Sequence, residues 1–213
     1  MPAEMETGLE AFTVKRLYGE TRYETNIEIL KESGVTTEDI IVCTGRSFAD
    51  SLSASAAKKP ILLVNNKSSQ LSEEQTAYLE TLETEKLYII GGTSAVNENL
   101  AAALTSYGTV ERIGGQTRYD TSVLVAEKLV GTSQQAVLAY GKNFPDGLCG
   151  GPLAAMLNAP LILTTNGNEA AAEAFCTTTK TEKGYILGGN SVVADDTVKS
   201  ILKVWPNENI TVK

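Results

Sequence analysis

The sequence contains no histidine and no apolar run long enough to cross a bilayer. Histidine is the usual general base at neutral pH and the commonest metal ligand, so its absence argues against a hydrolase triad and a metal centre. The three cysteines, Cys43, Cys149 and Cys176, are too widely spaced for a zinc site, and we expect them to be buried free thiols. These absences predict a protein with no catalytic residue, metal, cofactor or membrane-inserted segment.

Positive charge is scarce in the chain, whose formal net charge is −8. This balance argues against the broad attraction that nonspecific nucleic-acid binding requires, so we expect no nucleic-acid partner. All five arginines lie in two copies of one pattern, and a lysine takes the sixth place. These residues are Arg16, Arg22 and Arg46 in the first copy and Arg112, Arg118 and Lys142 in the second. This distribution predicts that the few arginines of an acidic chain share one function.

The pattern that carries the arginines is a duplication with a period of ninety-six residues. The segment RLYGETRYET at residues 16–25 returns as RIGGQTRYDT at 112–121, and TGRSFAD at 44–50 returns as YGKNFPD at 140–146. A period of this length indicates duplicated domains rather than a solenoid of short repeats. We therefore predict a lead-in at residues 1–13 and tandem units at residues 14–110 and 111–213.

Short apolar strands that end in glycine alternate with helical segments in both units. This alternation is typical of parallel β-α-β units with helices on both faces of the sheet. The sequence therefore predicts an α/β fold of two tandem duplicated units, each a three-layer α/β/α sandwich with a mainly parallel sheet. The predicted strands are 39–45, 60–64, 86–92, 109–113, 136–141, 160–165, 184–189 and 209–213, and the predicted helices are 23–33, 48–58, 71–82, 97–107, 119–129, 144–157, 170–177 and 194–203.

The two Gly-x-Thr-Arg-Tyr segments, at residues 19–23 and 115–119, lie where a strand gives way to a helix. Threonine caps such a helix, and the free backbone N–H groups and the arginine at its start suit an anion. The alternative is that each arginine locks its own unit by pairing with a carboxylate such as Asp50 or Asp146. The sequence leaves these two interpretations open.

Two further strand-end segments are weaker candidates. Asp50 and Asp146 begin segments of small residues, which favours close packing against the sheet or the neighbouring unit over ligand binding. Because the two aspartates are equivalent positions of one repeat, they do not form an acid and base pair with separate roles. The glycine pairs at 91–92 and 188–189 resemble a phosphate-binding turn but lack the GxGxxG spacing and the P-loop lysine. Strand-end loops of a parallel sheet nevertheless meet at one edge, where such folds bind ligands.

Together these motifs resemble the type 2 cell-wall-binding repeat of clostridial and other Gram-positive surface proteins. The resemblance rests on Arg-x-x-Gly-x-x-Arg-Tyr-x-Thr, Thr-Gly-x-x-Phe-x-Asp-x-Leu, the PILL segment at 60–63 and the YIIGG segment at 88–92, and it covers residues 14–213. It implies extracellular modules, usually three in a pseudo-threefold arrangement, that hold S-layer and other surface proteins on an anionic secondary polymer of the cell wall. Other activities would then belong to effector domains of the same protein.

The resemblance also implies roles for the repeated residues. The polymer-binding candidates are Arg16, Arg22, Tyr23, Arg46, Arg112, Arg118, Tyr119 and Lys142. The structural motif positions are Gly19, Asp50, Gly91, Gly92, Gly115, Asp146, Gly188 and Gly189. Only two copies are present, and residues 210–213 repeat the pattern of residues 12–15 before the first motif, so we expect further repeats in a longer protein, or self-association.

The leading hypothesis is a noncatalytic anchoring module in which two weak sites act together through effective concentration. One alternative is a nucleotide or sugar-phosphate binding enzyme domain built on the same loops, against which the missing histidine and P-loop lysine weigh. The other is a purely structural oligomerisation module whose arginines close interfaces.

Overall fold

The computed structural model describes residues 12–34, 36 and 39–203, and that part of the chain forms eight α-helices and seven strands. The elements of the first unit, in chain order, are α1 (Arg22–Ser33), β1 (Asp39–Thr44), α2 (Ala49–Ala54), β2 (Ile61–Val64), α3 (Glu73–Glu80), β3 (Lys86–Ile90), α4 (Glu98–Leu104) and β4 (Thr109–Ile113). Those of the second unit are α5 (Arg118–Val125), β5 (Gln135–Tyr140), α6 (Gly150–Leu157), β6 (Leu161–Thr164), α7 (Ala170–Thr179), β7 (Lys183–Leu187) and α8 (Asp195–Ile201).

Each unit is built on a parallel sheet. The first sheet has the strand order β2-β1-β3-β4 and the second has the order β6-β5-β7, and all neighbouring strands are parallel. The predicted α/β fold of two tandem units is confirmed. The predicted strand at 209–213 lies outside the described residues. Within the described residues, no helix is both long and apolar enough to cross a membrane.

Strand β1 shows why the first unit has three layers. Successive side chains of a strand point to opposite faces of the sheet. Ile40 and Val42 pack in a core cluster with residues of α1, α3 and α4, whereas Ile41 and Cys43 pack with Ala54 and with Val125 of α5. One face of the first sheet is therefore covered partly by a helix of the second unit, and this explains the unbroken apolar run of β1.

The two units share a continuous apolar interface. Leu52 and Ala56, from α2 and the short 3₁₀ turn that follows it, pack in one cluster with Val137 and Ala139 of β5. Small residues make the approach close, since a Cβ at Gly151 would overlap the Ser55 side chain. The small-residue segment thus serves packing between the units.

Strand β4 belongs to the first sheet, although it leads directly into the second motif. It pairs with β3 in the register Lys86 to Thr109. The expected boundary between residues 110 and 111 therefore falls inside this strand, whose last residues connect the sheet of one unit to the motif of the next.

Threonine caps fix the start of the two motif helices. Thr21 and Glu24 form a capping box at α1, with Glu24 accepting a hydrogen bond from the Thr21 N–H at 2.8 Å. Thr117 and Asp120 do the same at α5, where the corresponding distance is 2.9 Å. Capping gives hydrogen-bond partners to backbone N–H groups of the first turn that have none within the helix. Each helix therefore begins at the motif arginine, directly after its threonine cap.

Several predicted helices are shorter than the sequence suggested. The helix expected at 144–157 begins only at Gly150, because proline and glycines disfavour regular helix and residues 144–149 form turns against the first unit. The helix expected at 48–58 becomes a 3₁₀ turn at Ser55–Ala57, and the one expected at 119–129 continues as a π-helical turn at Ala126–Val130. The predicted strand ends at 45, 91–92, 165 and 188–189 lie in the turns that follow the strands.

The expectation of three buried thiols is wrong for Cys149. Cys43 and Cys176 are buried, but Cys149 is exposed because it lies in the surface turns before α6 rather than in a packed helix. Burial raises the pKa of the Cys43 and Cys176 thiols, which suppresses the reactive thiolate form.

We expect Cys149 to be the one thiol that reacts quickly in the folded protein. Titration with a chromogenic disulfide should show one fast equivalent, and the other two should appear only after denaturant is added. Cys149→Ser should remove the fast phase. A fast phase that persists in this variant would contradict the assignment.

Candidate functional site: a cleft between the two units

A cleft of about 430 Å³ opens where the carboxyl ends of the first sheet meet the motif of the second unit. The first unit supplies the loops after β1, β2 and β3, and the second unit supplies residues 115–118 and Thr121. Strand-end loops gather at one edge of a parallel sheet for topological reasons. The structure adds that the following repeat completes the cavity.

Arg118 crosses from one unit to the other. Its Nη1 donates a hydrogen bond to the Gly141 carbonyl of its own unit at 2.7 Å, and its guanidinium lies 5.4 Å from the centre of the Phe48 ring in the first unit. It also acts electrostatically on Asp50. Arg22 makes the equivalent bond, to the Gly45 carbonyl at 2.7 Å. Each arginine therefore bonds to a carbonyl of its own unit, and not to a carboxylate as in the alternative that the sequence left open.

Arg112 holds the Gly-Gly loop that forms one wall of the cleft. Its Nη1 donates to the Gly91 and Gly92 carbonyls at 3.2 Å each, and its Nη2 lies 3.3 Å from Glu98 Oε1. A planar guanidinium with several donors suits this bridging of neighbouring acceptors. Arg112 thus shapes the cleft without lining it.

The tyrosines of the motifs pack on the glycines that end β1 and β5. A Cβ at Gly45 would overlap the ring of Tyr23, and one at Gly141 would overlap the ring of Tyr119. Sequence reasoning did not single out Gly45 or Gly141, although the repeated Gly-(Arg/Lys) pair after each strand carries the signal.

Glycine is required at Gly91 for two reasons. Its φ of 99° lies in the left-handed region, and a Cβ there would lie 2.6 Å from Asp50 Oδ2. Gly188 has the equivalent φ of 118° in the second unit. Gly92 and Gly189 face open space, so no steric contact demands glycine at either position.

Asp50 is the carboxylate among the residues that line the cleft. Burial raises the pKa of its carboxyl from the ordinary 3.8 to about 6, and the positive charge of Arg118 offsets part of that rise. Its equivalent, Asp146, is exposed. The two copies of one motif position therefore have different environments.

The cleft brings together only some of the predicted site residues. Those that line it are Arg46, Asp50, Gly91, Gly92, Gly115 and Arg118. Those that lie elsewhere are Arg16, Gly19, Arg22, Tyr23, Arg112, Tyr119, Lys142, Asp146, Gly188 and Gly189. Asn66, Ser94 and Gln116 also line it and were not predicted, because ordinary polar residues in loops carry no distinctive pattern. No group of three His, Cys, Asp or Glu side chains in the described part of the chain could hold a metal ion.

Comparison with known proteins places the repeats in a family. The profile of Cell wall binding domain 2 (CWB2) matches residues 16–101 and 112–198. The chain is 32% identical over 196 residues to the N-acetylmuramoyl-L-alanine amidase LytC of Bacillus subtilis. This match covers 89% of this chain and 39% of LytC. It is 27% identical over 204 residues to the amidase enhancer of the same species. This match covers 93% of this chain and 28% of the enhancer.

Solved structures agree over both units. Cwp6 from Clostridium difficile matches with a TM-score of 0.80 and 26% identity over 89% of this chain and 31% of Cwp6. Cwp8 from Clostridium difficile matches with a TM-score of 0.78 and 26% identity over 96% of this chain and 36% of Cwp8. The chain thus spans less than two fifths of the length of each relative. Because the profile matches once in each unit, on the segments that carry the arginine motifs, this chain belongs to the cell wall binding domain 2 family.

Proposed function

We propose that this chain is a noncatalytic module that anchors its parent protein to an anionic secondary polymer of the cell wall, outside a Gram-positive cell. The anionic group of the polymer binds in the cleft between the units. The observation that carries the proposal is that this cleft places Arg46 and Arg118 together at the N-terminus of α5. Both the guanidinium groups and the helix terminus favour negative charge.

Local rather than overall charge drives this binding. The whole chain carries a formal charge of −8, which repels a polyanion. In the cleft, two arginines outweigh one aspartate, and the aspartate is partly protonated near pH 6. Interactions between exposed charges weaken in salt, so binding should fall as the ionic strength rises.

The noncatalytic assignment rests on the residues available for chemistry. The cleft contains one carboxylate and no cysteine or histidine. LytC and the amidase enhancer are much longer than the segments that match this chain, so any amidase activity of a parent protein would lie in another part of it.

A pull-down on purified peptidoglycan sacculi, with and without their anionic polymer, tests the proposal. The Arg46 side chain is exposed and forms no hydrogen bond or ion pair with the described residues, so Arg46→Gln should leave the fold intact. We expect this variant to bind polymer-bearing sacculi about tenfold more weakly, because a charge-assisted contact is lost.

Lys142→Gln supplies the matched control. Lys142 is the equivalent residue of the second unit and lies exposed, outside the cleft. Binding by this variant should stay within about twofold of the parent chain, since a single rim charge contributes little. Equal losses in the two variants would argue for diffuse attraction, and binding to polymer-free sacculi would argue against the polymer.

A structural role in oligomerisation is the second candidate, and one observation favours it. Leu52 is 6% exposed beneath the second unit, whereas its equivalent, Leu148, is 61% exposed. A further repeat of the parent protein, or a second chain, would cover Leu148 in the same way. Light scattering that shows a stable oligomer, together with absent polymer binding, would favour this role over anchoring.

A further inference from the structure

The cleft contains hydrogen-bond acceptors that an anionic ligand does not explain. Asp50 accepts no hydrogen bond from the described residues, although Arg118 acts on it through its charge. Asn66 Oδ1 is buried and likewise has no donor among the described residues, while its Nδ2 donates to the Ser94 carbonyl at 2.7 Å. Buried acceptors are usually paired, so the Asn66 oxygen calls for a donor from outside the described residues. The Asp50 carboxylate lines the same cleft and can accept a hydrogen bond from a ligand there.

The equivalent positions of the second unit have different surroundings. Asn166 occupies the place of Asn66, and its Oδ1 accepts from the Ala194 N–H at 2.8 Å and from Thr197 Oγ1 at 2.9 Å. Asp146 is exposed to water. The Asn166 oxygen is therefore paired within its own unit, whereas the equivalent Asn66 oxygen beside the cleft is not.

The chemistry of the missing donor follows from its neighbours. A phosphate or carboxylate group offers acceptors and negative charge, which suit Arg46 and Arg118 but not Asp50. A hydroxyl group offers an O–H donor, and a carboxylate accepts such a bond with the added strength of its charge. A cleft of about 430 Å³ lies within the usual range for small-molecule sites, which is roughly 300–1,000 Å³.

We propose that Asp50 and Asn66 are specificity-determining residues that accept hydrogen bonds from hydroxyl groups next to the anionic group of the polymer. This inference rests on the proposed function and names the ligand unit: a hydroxylated sugar or polyol that carries a phosphate or carboxylate. Asn66 Oδ1 is buried, so this contact requires the amide to turn towards the cleft and give up its bond to the Ser94 carbonyl.

The test compares three probes by NMR titration of the full chain at pH 7.5: inorganic phosphate, glycerol 3-phosphate and glucose 1-phosphate. We expect one or both hydroxylated phosphates to bind about tenfold more tightly than inorganic phosphate, the gain expected from added charge-assisted hydrogen bonds. A preference for glucose 1-phosphate would identify a sugar unit, and a preference for glycerol 3-phosphate would identify a polyol.

The variants assign the preference to its residues. Asp50→Ala and Asn66→Ala should each reduce the preference for hydroxylated phosphates to about twofold or less, while Asp146→Ala should keep it. Equal binding of all three probes by the parent chain, or a preference that survives both cleft variants, would overturn the inference. Absence of binding by all three probes would overturn it as well. Polymer-dependent retention on sacculi would be unaffected by these results, so failure of this inference is distinguishable from failure of the proposed function.

Discussion

Leu52→Ala should lower the free energy of unfolding by about 2–4 kcal/mol, the range found when a buried leucine is truncated in a core that cannot collapse. Leu52 is 6% exposed and packs in the cluster that joins the two units. Its side chain also contacts Gly147, where an added Cβ would lie 2.8 Å from Leu52 Cδ2. Urea unfolding followed by circular dichroism measures the change.

The duplicated sequence offers a control of the same chemistry. Leu148 is the equivalent residue of the second unit and is 61% exposed, so Leu148→Ala should change stability by less than about 0.5 kcal/mol. Similar losses in the two variants would contradict the interface described here. The Leu52 variant should also bind the wall polymer more weakly, because both units must stay in place to form the cleft.

The local features of the fold could be predicted because each unit repeats them. Strand β1 is buried on both faces, so its sequence is a continuous apolar run. Such runs are typical of parallel strands, and the sequence therefore predicts them. Thr21 and Thr117 carry the same capping signal, and both helices begin at the next residue. Duplication strengthens such predictions, since an accidental pattern would not occur twice in register.

The cleft could not be predicted for the same reason. Repeated residues reveal what the two units share, whereas the cleft forms where the first unit meets the motif of the second. Asp50 and Asp146 look alike in sequence, yet one lies in the cleft and the other is exposed. The contact of Arg112 with the Gly91 and Gly92 carbonyls joins two predicted motifs in a way that neither motif indicates.

Residues 144–149 are a second place where the repeat gives a wrong prediction. They align with the start of α2, and this alignment favours a helix. Pro145 and Gly147 lower the helix propensity, and the contact of Gly147 with Leu52 gives the turn a packing role that the alignment does not contain. Local propensity and tertiary contact therefore both act against the helix that the duplication suggested.

We expect the effect of Asp50→Asn on the free energy of unfolding to depend on pH. Relative to the parent chain, the variant should be more favoured at neutral pH than at acid pH. The pKa of the Asp50 carboxyl is about 6 in the folded protein, against an ordinary value of 3.8, because burial disfavours its charged form. The folded state thus holds this proton more tightly than the unfolded state. The stabilisation that Asp50 contributes is present below about pH 4 and is lost as the pH rises to about 6.

Two pKa units correspond to about 3 kcal/mol, and partial exposure of the carboxyl reduces this to about 1–2 kcal/mol. Asparagine cannot ionise, so Asp50→Asn should gain that amount at pH 7.5 relative to its effect at pH 4. Urea unfolding of the parent, Asp50→Asn and Asp146→Asn chains at both pH values measures the difference. Asp146→Asn, at the exposed equivalent position, is the control, and equal behaviour of the two variants would contradict a desolvated Asp50.

The Asp50→Asn variant would also distinguish the effect of Asp50 on stability from its effect on ligand binding. A chain that becomes more stable when Asp50 is neutralised keeps a destabilising charge at the place where its two repeats meet. The charge would be explained if the same variant lost its preference for hydroxylated phosphates, since the carboxylate would then be retained for its ligand. A variant that gained stability and kept the full preference would leave Asp50 with a cost in folding and no role in the cleft.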